Sequence, residues 1–315
     1  MKEMDNYYND EQKNRFISTL NLAEFPPYYW NRLFRSFKPY EEKYGKDLYD
    51  FRKDEIIESY KDMQYSSFET LIVANVNFKR YVDWAIENLL NEDGENHFDD
   101  FTTEELFKCV NKLQLTVSII TREQLDKGVS SLDNPQDAFL VYGIFEGIRG
   151  KEFMDLVTVK MSDIDMDNKT IWLPDSEKTI PISDSLIQWA MRANSQDVYY
   201  RSDGKNYKLY GNNIIKLSGR YATLNADTGN KQSASTYRAV LRALDTMGYG
   251  KMVSCNSLYT SGIIDTINKV GTDNGVDAEH VLYTPELYKI VKQKYNIPES
   301  TRRRFLLKFD KFLVK

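Results

Sequence analysis

An acidic, glycine-containing run at residues 91–96 (Asn-Glu-Asp-Gly-Glu-Asn) divides this 315-residue chain into two stretches of different pattern. Residues 26–92, before it, show helical periodicity. Glycine and short polar side chains favour turns, so the run marks the end of a first helix bundle. The chain length also suggests two domains. We therefore predict an N-terminal helical domain over 1–112, a linker over 113–120 and a C-terminal domain over 121–315.

The clearest helix of the first domain follows a predicted capping box, Ser66-x-x-Glu69, in which Ser66 accepts a backbone N–H and Glu69 reaches back. Helices are also predicted at about 53–62 and from Tyr28 to Phe37. Beyond the box, apolar side chains recur at helical spacing and predict one buried stripe. That stripe consists of Phe78, Tyr81, Val82, Ala85, Ile86 and Leu89, and Asn77, Arg80 and Trp84 lie off its main line.

The second domain combines helices with short strands. A second capping box, Thr121-x-x-Gln124, and the pair Asn134-Pro135 each predict a helix start. β-Branched residues then predict three strands at 157–161, 170–173 and 178–182, and residues 198–224 are compatible with a further hairpin. Further helices are predicted at 184–193, 233–247, 257–269, 285–295 and 299–313. The predicted fold class is mainly α with a small antiparallel β-sheet (α+β).

Composition excludes several classes of protein. The only cysteines, Cys109 and Cys255, fall in different predicted domains, which argues against a disulfide framework and a cysteine-bound metal. The polar start predicts no signal peptide, and no stretch approaches the roughly 18 apolar residues of a membrane span. We therefore expect a cytoplasmic protein with no cofactor and no metal site. The acidic residues at 163, 165 and 167 are expected to lie on a hairpin surface.

Charge is distributed unevenly along the chain. Residues 1–110 carry 14 Lys+Arg and 23 Asp+Glu, a net of −9, and residues 111–315 carry 28 and 24, a net of +4. Within the second part, residues 201–251 have nine basic and three acidic side chains, and 289–315 have nine and two. Phosphate binding depends on such local basic surface rather than on the total. Ordinary solvated faces remain the alternative.

One segment carries a recognisable motif. Residues 147–156 (Gly-Ile-Arg-Gly-Lys-Glu-Phe-Met-Asp-Leu) end a helix, and residues 160–171 continue with Ser-Asp-Ile-Asp and a strand. Together they resemble the signature that opens the catalytic domain of tyrosine recombinases (phage integrases), T-G-L-R-x-S-E-L followed by I-D. The resemblance extends over nearly the whole chain. It implies a helical core-binding domain and an integrase-type domain that close as a clamp on duplex DNA.

The resemblance assigns roles to single residues. Arg149 stands at the family's first arginine, whose planar guanidinium can bind one phosphate with two hydrogen bonds, and Glu152 is placed to orient it. A structural ion pair between these two is the alternative. Lys178 falls at the family's hairpin lysine. It is interpreted as a phosphate contact or as an ordinary surface lysine.

The second catalytic signature is degenerate. The family has H-x-L-R-H-T where this chain has Asn256-Ser-Leu-Tyr259-Thr-Ser, so a histidine is replaced by Asn256 and an arginine by Tyr259. Losing one positive group that stabilises a phosphoryl transition state costs about 10²–10³ in rate or more. The nucleophile is uncertain as well. One alignment puts Tyr295 or a neighbour near the family histidine and the nucleophile position at Arg303–Phe305, and another puts His280 and Tyr288 in the family's places. Whether Tyr288 or Tyr295 keeps a nucleophilic role stays open. His97, directly after the acidic run, is expected to be solvated. We therefore expect no enzymatic activity.

What remains is DNA binding. Residues 233–247 predict a helix with the apolar line Tyr237, Val240, Leu241, Leu244 and Met247 and with Arg238 and Arg242 on another face. Residues 302–304 form a second basic site, and the last helix can serve self-association instead. The expected DNA-binding side chains are Asn77, Arg80, Arg149, Lys178, Ser235, Thr236, Arg238, Arg242, Asn256, Tyr259, Arg302, Arg303 and Arg304.

The length and domain plan also resemble a lysogeny repressor of SP-beta-type prophages that uses this scaffold. The expected function is therefore transcriptional repression through operator sites in double-stranded DNA, with a protein antagonist as a possible partner. Two alternatives stay open. One is an active recombinase with an unusual residue set, and the other is an accessory factor that acts through protein contacts.

Overall fold

The structure, a computed structural model, describes residues 7–20, 27–65, 67–111, 117–201, 203–218 and 229–315, without the side chains of residues 27, 229–234 and 251. The chain folds into two compact units, Met1–Leu115 and Thr116–Lys315, here called the N-terminal and the C-terminal unit. Among the described residues, no helix combines the length and the hydropathy that crossing a bilayer requires.

The N-terminal unit is helical, as predicted. Its helices are α1 (Asp10–Thr19), α2 (Pro27–Tyr44), α3 (Lys53–Asp62), α4 (Phe68–Glu87) and α5 (Thr103–Lys108), with a 3₁₀ turn at Leu48–Asp50. The start of α4 differs from the expectation. Ser66 lies outside the described residues, and the observed N-cap is Ser67, whose hydroxyl accepts from the backbone N–H of Thr70 at 3.3 Å and donates to Glu69.

The predicted apolar stripe of α4 is buried over most of its length. Phe78, Tyr81, Val82 and Ala85 are buried, and the Phe78 ring lies 4.3 Å from that of Phe37 on α2. Leu89 was wrongly placed in the stripe: it is 92% exposed because α4 ends at Glu87. Aromatic rings at edge-to-face or tilted angles therefore make up much of the contact between α2 and α4.

A fully buried ion cluster joins the first elements of this unit. The ammonium of Lys13 lies 2.6 Å from a carboxylate oxygen of Glu41 and 3.0 Å from one of Asp47, and none of the three side chains is more than 2% exposed. Burial raises the pKa of Glu41 to about 8, against the lowering effect of Lys13. The cluster links α1 to α2 and to the 3₁₀ turn.

The C-terminal unit is built around one central helix. Its helices are α6 (Arg122–Val129), α7 (Pro135–Phe145), α8 (Met154–Thr158), α9 (Asp184–Ser195), α10 (Gly229–Thr246), α11 (Cys255–Asn274), α12 (Ala278–Tyr283), α13 (Pro285–Lys294) and α14 (Glu299–Phe309). Residues 136–145 of α7 are all buried, and this helix packs against α9, α10 and α11. The predicted capping box at Thr121 is confirmed.

Two small antiparallel sheets complete this unit. The first consists of β1 (Ile164–Asp165), β2 (Thr170–Leu173) and β3 (Lys178–Pro181), with Ile171 opposite Ile180. The predicted strand at 157–161 is wrong, since that segment contains the end of α8 and the start of a 3₁₀ turn. Val157 and Val159 are buried in the core there, so tertiary packing overrides their preference for strands.

The hairpin expected from residue 198 onwards is present. The second sheet consists of β4 (Val198–Tyr200), β5 (Asn206–Tyr210) and β6 (Leu217–Ser218), and residues 219–224 of the predicted segment lie outside the described residues. The predicted fold class, mainly α with small antiparallel sheets, is confirmed.

Candidate nucleic-acid interface

The loop after α7 presents Arg149, and its backbone is strained. Gly147 and Gly150 have positive φ angles of 92° and 65°, and so do the non-glycine residues Glu152 (53°) and Phe153 (66°). A Cβ on Gly147 would lie 3.2 Å from the carbonyl oxygen of Lys294, so the loop packs closely against the end of α13. Left-handed non-glycine residues are unfavourable and tend to cluster at functional sites.

Three residues that the motif analysis placed at the family's active site come together here. The guanidinium of Arg149 lies 5.6 Å from the ring centre of Tyr259 on α11, and the Tyr259 ring lies 5.1 Å edge-on from that of Tyr295. We call these the Arg149 cluster. Burial raises the pKa of Tyr259, and the charge of Arg149 opposes that rise. An aromatic ring therefore lies beside Arg149 where the family has a second arginine.

Both candidate nucleophiles are engaged in structural contacts. Tyr295 is 1% exposed, and its hydroxyl donates to the carbonyl of Phe145, which a side chain at Gly262 would block. The hydroxyl of Tyr288 donates to the carbonyl of Ile297 at 2.6 Å and accepts from its N–H. Both hydroxyls are therefore buried and bonded to backbone groups.

Glu152 does not orient Arg149. Both side chains are described, no ion pair joins them, and Glu152 is exposed on its turn. Instead, the sequence analysis missed Glu146, the residue after α7. Its fully buried carboxylate lies 2.9 Å from Arg122 and 2.8 Å from Lys294 and accepts from the backbone of Ser183. Burial raises the pKa of Glu146, but the charges of Lys294 and Arg122 lower it by more than burial raises it. The net pKa is therefore below its ordinary value, and the carboxylate stays ionised.

A second buried carboxylate was also missed. Asp155 accepts from the backbone N–H of Ser176 at 3.0 Å and from its hydroxyl, and thereby fixes the turn between β2 and β3. A Cβ on Gly150 would lie 2.8 Å from this carboxyl group, so Asp155 also holds the loop of Arg149. Lys178 begins β3 two residues after Ser176 and is half-buried. Asp155 thus connects the loop of Arg149 to the hairpin of Lys178.

The predicted DNA-binding residues of helix α10 differ in their exposure. Ser235 and Arg238 are exposed, but Thr236 is only 4% exposed. Tyr237, expected in the apolar line, is 43% exposed, so that part of the prediction is wrong, whereas Val240 and Leu244 are buried. Among the described side chains of α10, Thr236 rather than its neighbour Tyr237 faces the core.

Arg242 faces a buried carboxyl group. Asp137 accepts a 2.7 Å hydrogen bond from Tyr199, and the two residues line one cavity of about 560 Å³ together with Arg242. Burial raises the pKa of Asp137 to about 6, against the hydrogen bond of Tyr199 and the charge of Arg242. Arg238 and Arg242 lie one turn apart, yet they have different surroundings.

The remaining predicted contacts lie at three places. Asn256 is exposed near the start of α11, after the N-cap Ser254. On α14, the guanidinium of Arg302 stacks 3.8 Å from the ring centre of Tyr288, Arg303 is exposed and Arg304 is half-buried. The stacking gives Arg302 a structural role inside the unit.

On α4 of the N-terminal unit, Arg80 is exposed but Asn77 is only 5% exposed. The amide of Asn77 donates to the carbonyl of Val73 at 2.7 Å and lies 3.3 Å from the hydroxyl of Tyr29 on α2. Its burial favours a structural role. Asn77 therefore connects α4 to α2 beneath the exposed surface.

Histidine and metal chemistry have little basis in the described residues. His97 is not simply solvated as expected: its two ring nitrogens lie 3.1 Å from Asp93 and from Asp100. Asp165 accepts from the backbone N–H groups of residues 167 and 168, which fits the predicted hairpin surface. Within the described part of the chain, no group of three His, Cys, Asp or Glu side chains is arranged to hold a metal ion.

Two family models match the chain. The model described as "MrpR, C-terminal catalytic domain" matches residues 119–313, and "MrpR, N-terminal core-binding domain" matches residues 7–87. The chain is also similar to the SPbeta prophage-derived uncharacterized protein YopR of Bacillus subtilis (strain 168). The two are 24% identical over 300 residues, which cover 91% of this chain and 90% of YopR. The predicted kinship with an SP-beta prophage protein and the predicted core-binding and catalytic-like plan are confirmed.

Two solved recombinase structures match this chain at lower sequence identity. XerA recombinase matches with a TM-score of 0.33 and 11% identity, covering 94% of this chain and 97% of its own. A lambda integrase (75-356) dimer bound to a COC' core site matches with a TM-score of 0.39 and 14% identity, covering 92% and 98%. Both TM-scores are below 0.5, a level at which a superposition has no bearing on single residues.

Proposed function

Because this chain belongs to the MrpR family, we propose that it is a sequence-specific, double-stranded-DNA-binding transcriptional repressor that lacks recombinase chemistry. In this proposal it acts on operator sites in the bacterial cytoplasm and maintains the lysogeny of a prophage. Self-association through α14 and control by a protein antagonist belong to the same proposal.

The Arg149 cluster is the observation that carries the proposal. Phosphoryl transfer needs positive groups around the equatorial oxygens and a nucleophile in line with the leaving oxygen. Here the first arginine, Arg149, and the hairpin lysine, Lys178, remain, but the second arginine is replaced by Tyr259, whose ring packs against Tyr295. An arginine beside the ring of Tyr259 can still bind one phosphate through its planar guanidinium. This arrangement supports binding without strand cleavage.

Strain and exposed charge support a binding role as well. The backbone at Glu152 and Phe153, in the loop of the half-buried Arg149, is left-handed, and such strain persists where it serves a site. Exposed arginines at 238 and 303 add charge on α10 and α14. Phosphate contacts of this kind give affinity and register, and base contacts give sequence specificity.

The test is a gel shift on duplexes that the wild-type chain selects from a random pool, followed by a nicked suicide substrate built from the selected site. We expect a selected fragment, a steep dependence of affinity on salt and no covalent adduct. An adduct that disappears in Tyr295→Phe or Tyr288→Phe would show an active recombinase. A pool with no selected fragment would favour the accessory factor.

Point variants test the contact surface. Arg149→Ala and Arg238→Ala should each weaken binding and reduce the salt slope by about 0.9, the value for one lost phosphate contact. Arg149→Lys keeps the charge without the planar fork and controls for loss of folding around the loop. Arg192→Ala is the matched control, because this exposed arginine on α9 stacks on Trp189 outside the proposed surface. Unchanged binding in both alanine variants would contradict the proposed surface.

A further inference from the structure

The N-terminal unit is acidic as a whole but has two segments whose charged side chains are all basic. Residues 1–110 carry 23 acidic and 14 basic side chains. Residues 27–40 nevertheless contain Arg32, Arg35 and Lys38 and no acidic residue, and residues 70–82 contain Lys79 and Arg80 and no acidic residue. The first segment lies in α2 and the second in α4. All acidic residues of this unit therefore lie outside these two stretches.

These two segments pack against each other in space. Besides the contact of the Phe37 and Phe78 rings, the amide of Asn77 reaches the hydroxyl of Tyr29. Arg32 lies beside them: burial raises the pKa of Tyr29 and of Tyr65, and the charge of Arg32 opposes both rises. Since Tyr65 precedes α4, Arg32 is near the beginning of that helix. Arg32 and Arg80 are therefore the arginines that we assign to the surface made by α2 and α4, whereas Lys79 pairs with Asp99 and Lys38 with Glu42.

Exposed apolar side chains lie within this basic surface. Val73 is 49% and Val76 is 45% exposed, and with Arg80 they occupy positions i, i+3 and i+7 on the outer side of α4. Asn77, the residue after Val76, points inward. Its amide donates to the carbonyl of Val73 and to the hydroxyl of Tyr29. The outer side of this part of α4 therefore offers methyl groups, with guanidinium groups around them.

That combination is complementary to the major groove of DNA. An α-helix fits this groove, phosphates line its two edges, and the only apolar group on its floor is the C5 methyl of thymine. We propose that Val73 and Val76 contact thymine methyl groups in the major groove, with Arg32 and Arg80 at the flanking phosphates. This inference rests on the proposed DNA binding and adds the base feature that α4 recognises.

The test compares thymine and uracil, which differ only by that methyl group. A duplex selected by the wild-type chain from a random pool is prepared once with thymine and once with uracil, and both forms are titrated in gel shifts. Wild type should bind the uracil form about fourfold more weakly for each lost methyl contact, given roughly 0.8 kcal/mol per buried carbon group. The double variant Val73→Ala/Val76→Ala should bind thymine DNA weakly and show little further loss with uracil.

The matched control is Val117→Ala, because Val117 is also an exposed valine (47%) and lies in the other unit. It should keep the wild-type ratio between the two DNA forms. Replacing thymine by uracil also changes the stiffness of the DNA. That effect is the same for wild type and for each variant, so it cancels when their thymine-to-uracil affinity ratios are compared. Equal ratios in wild type and the double variant would overturn the thymine contact while DNA binding stands. If the pool yields no selected fragment, the proposed function fails and this inference fails with it.

Discussion

The two units each bury a charge cluster, but with opposite composition. In the N-terminal unit, one cation, Lys13, lies between two buried carboxylates, Glu41 and Asp47. In the C-terminal unit, one buried carboxylate, Glu146, lies between two cations, Arg122 and Lys294. The exposure of the cations to solvent also differs. The side chain of Lys13 is fully buried, whereas those of Arg122 and Lys294 are 34% and 13% exposed.

The difference decides which cluster is neutralised by a proton. Two carboxylates with one lysine carry excess negative charge in a dry site, and burial raises the pKa of Glu41 to about 8. Glu146 has excess positive charge around it, so its pKa falls although it is just as deeply buried. Burial alone therefore does not set protonation here; the sign of the neighbouring charges does.

The largest effect is expected from removing the single cation. Lys13→Met leaves Glu41 and Asp47 buried without their partner, and breaking a buried pair in this way typically costs about 3–5 kcal/mol. Hydrogen exchange measured by mass spectrometry resolves the two units and should show the loss in the N-terminal unit alone. The control Lys43→Met removes an exposed lysine paired with Glu58 and should change nothing measurable. An unchanged N-terminal unit in Lys13→Met would mean that the cluster contributes no net stability.

A smaller effect is expected from Glu146→Gln. Two cations lose their common carboxylate, but Arg122 keeps its hydrogen bonds of 3.0 and 2.7 Å to Asp265, and Lys294 keeps access to water. We expect a loss of about 2–3 kcal/mol, confined to the C-terminal unit and measured by the same exchange experiment. Glu152→Gln, which removes an exposed carboxylate six residues away, serves as the control. A loss as large as that of Lys13→Met would contradict the role given to residual solvation.

Sequence reasoning succeeded where the information is local. The cap at Thr121 and the helix start at Asn134-Pro135 depend on a few neighbouring residues, and both are present. It failed at residues 157–161, because valines that favour strands were recruited into the core by helix packing. Leu89 failed for a related reason: the stripe was extended past the end of α4 at Glu87.

The site was predicted in part. The motif around Gly147 and the degenerate second signature located Arg149 and Tyr259, which the structure brings together with Tyr295. The partners of Glu146 were missed because Lys294 lies 148 positions away along the chain. A signal was present, since a glutamate directly after the apolar run Tyr-Gly-Ile-Phe is unusual unless it is paired. Which cation would pair with it depends on the tertiary fold.

The smallest of these effects concerns pH. Glu41 has a folded-state pKa of about 8, above its ordinary value of 4.5, so the folded chain holds a proton that the unfolded chain has lost. Stability from this group is therefore full at low pH and declines as the pH rises toward 8. Between about pH 6.5 and about pH 8 we expect the N-terminal unit to lose about 1–2 kcal/mol.

Burial raises the pKa of Asp47 as well, so it adds a loss of the same sign. Glu41→Gln should reduce the loss and so separates the Lys13 cluster from His97. Burial lowers the pKa of His97, but its hydrogen bonds to Asp100 and Asp93 produce a net rise. The contribution of His97 to the stability of the N-terminal unit therefore also declines as the pH increases. In the C-terminal unit, Glu146 stays ionised throughout this range, and Asp137, with a pKa of about 6, has mostly lost its proton at the lower limit. Hydrogen exchange at the two pH values, corrected for intrinsic rates, should therefore show a decline in one unit only. An equal decline in both units would show that the opposite composition of the two clusters does not govern their response to pH.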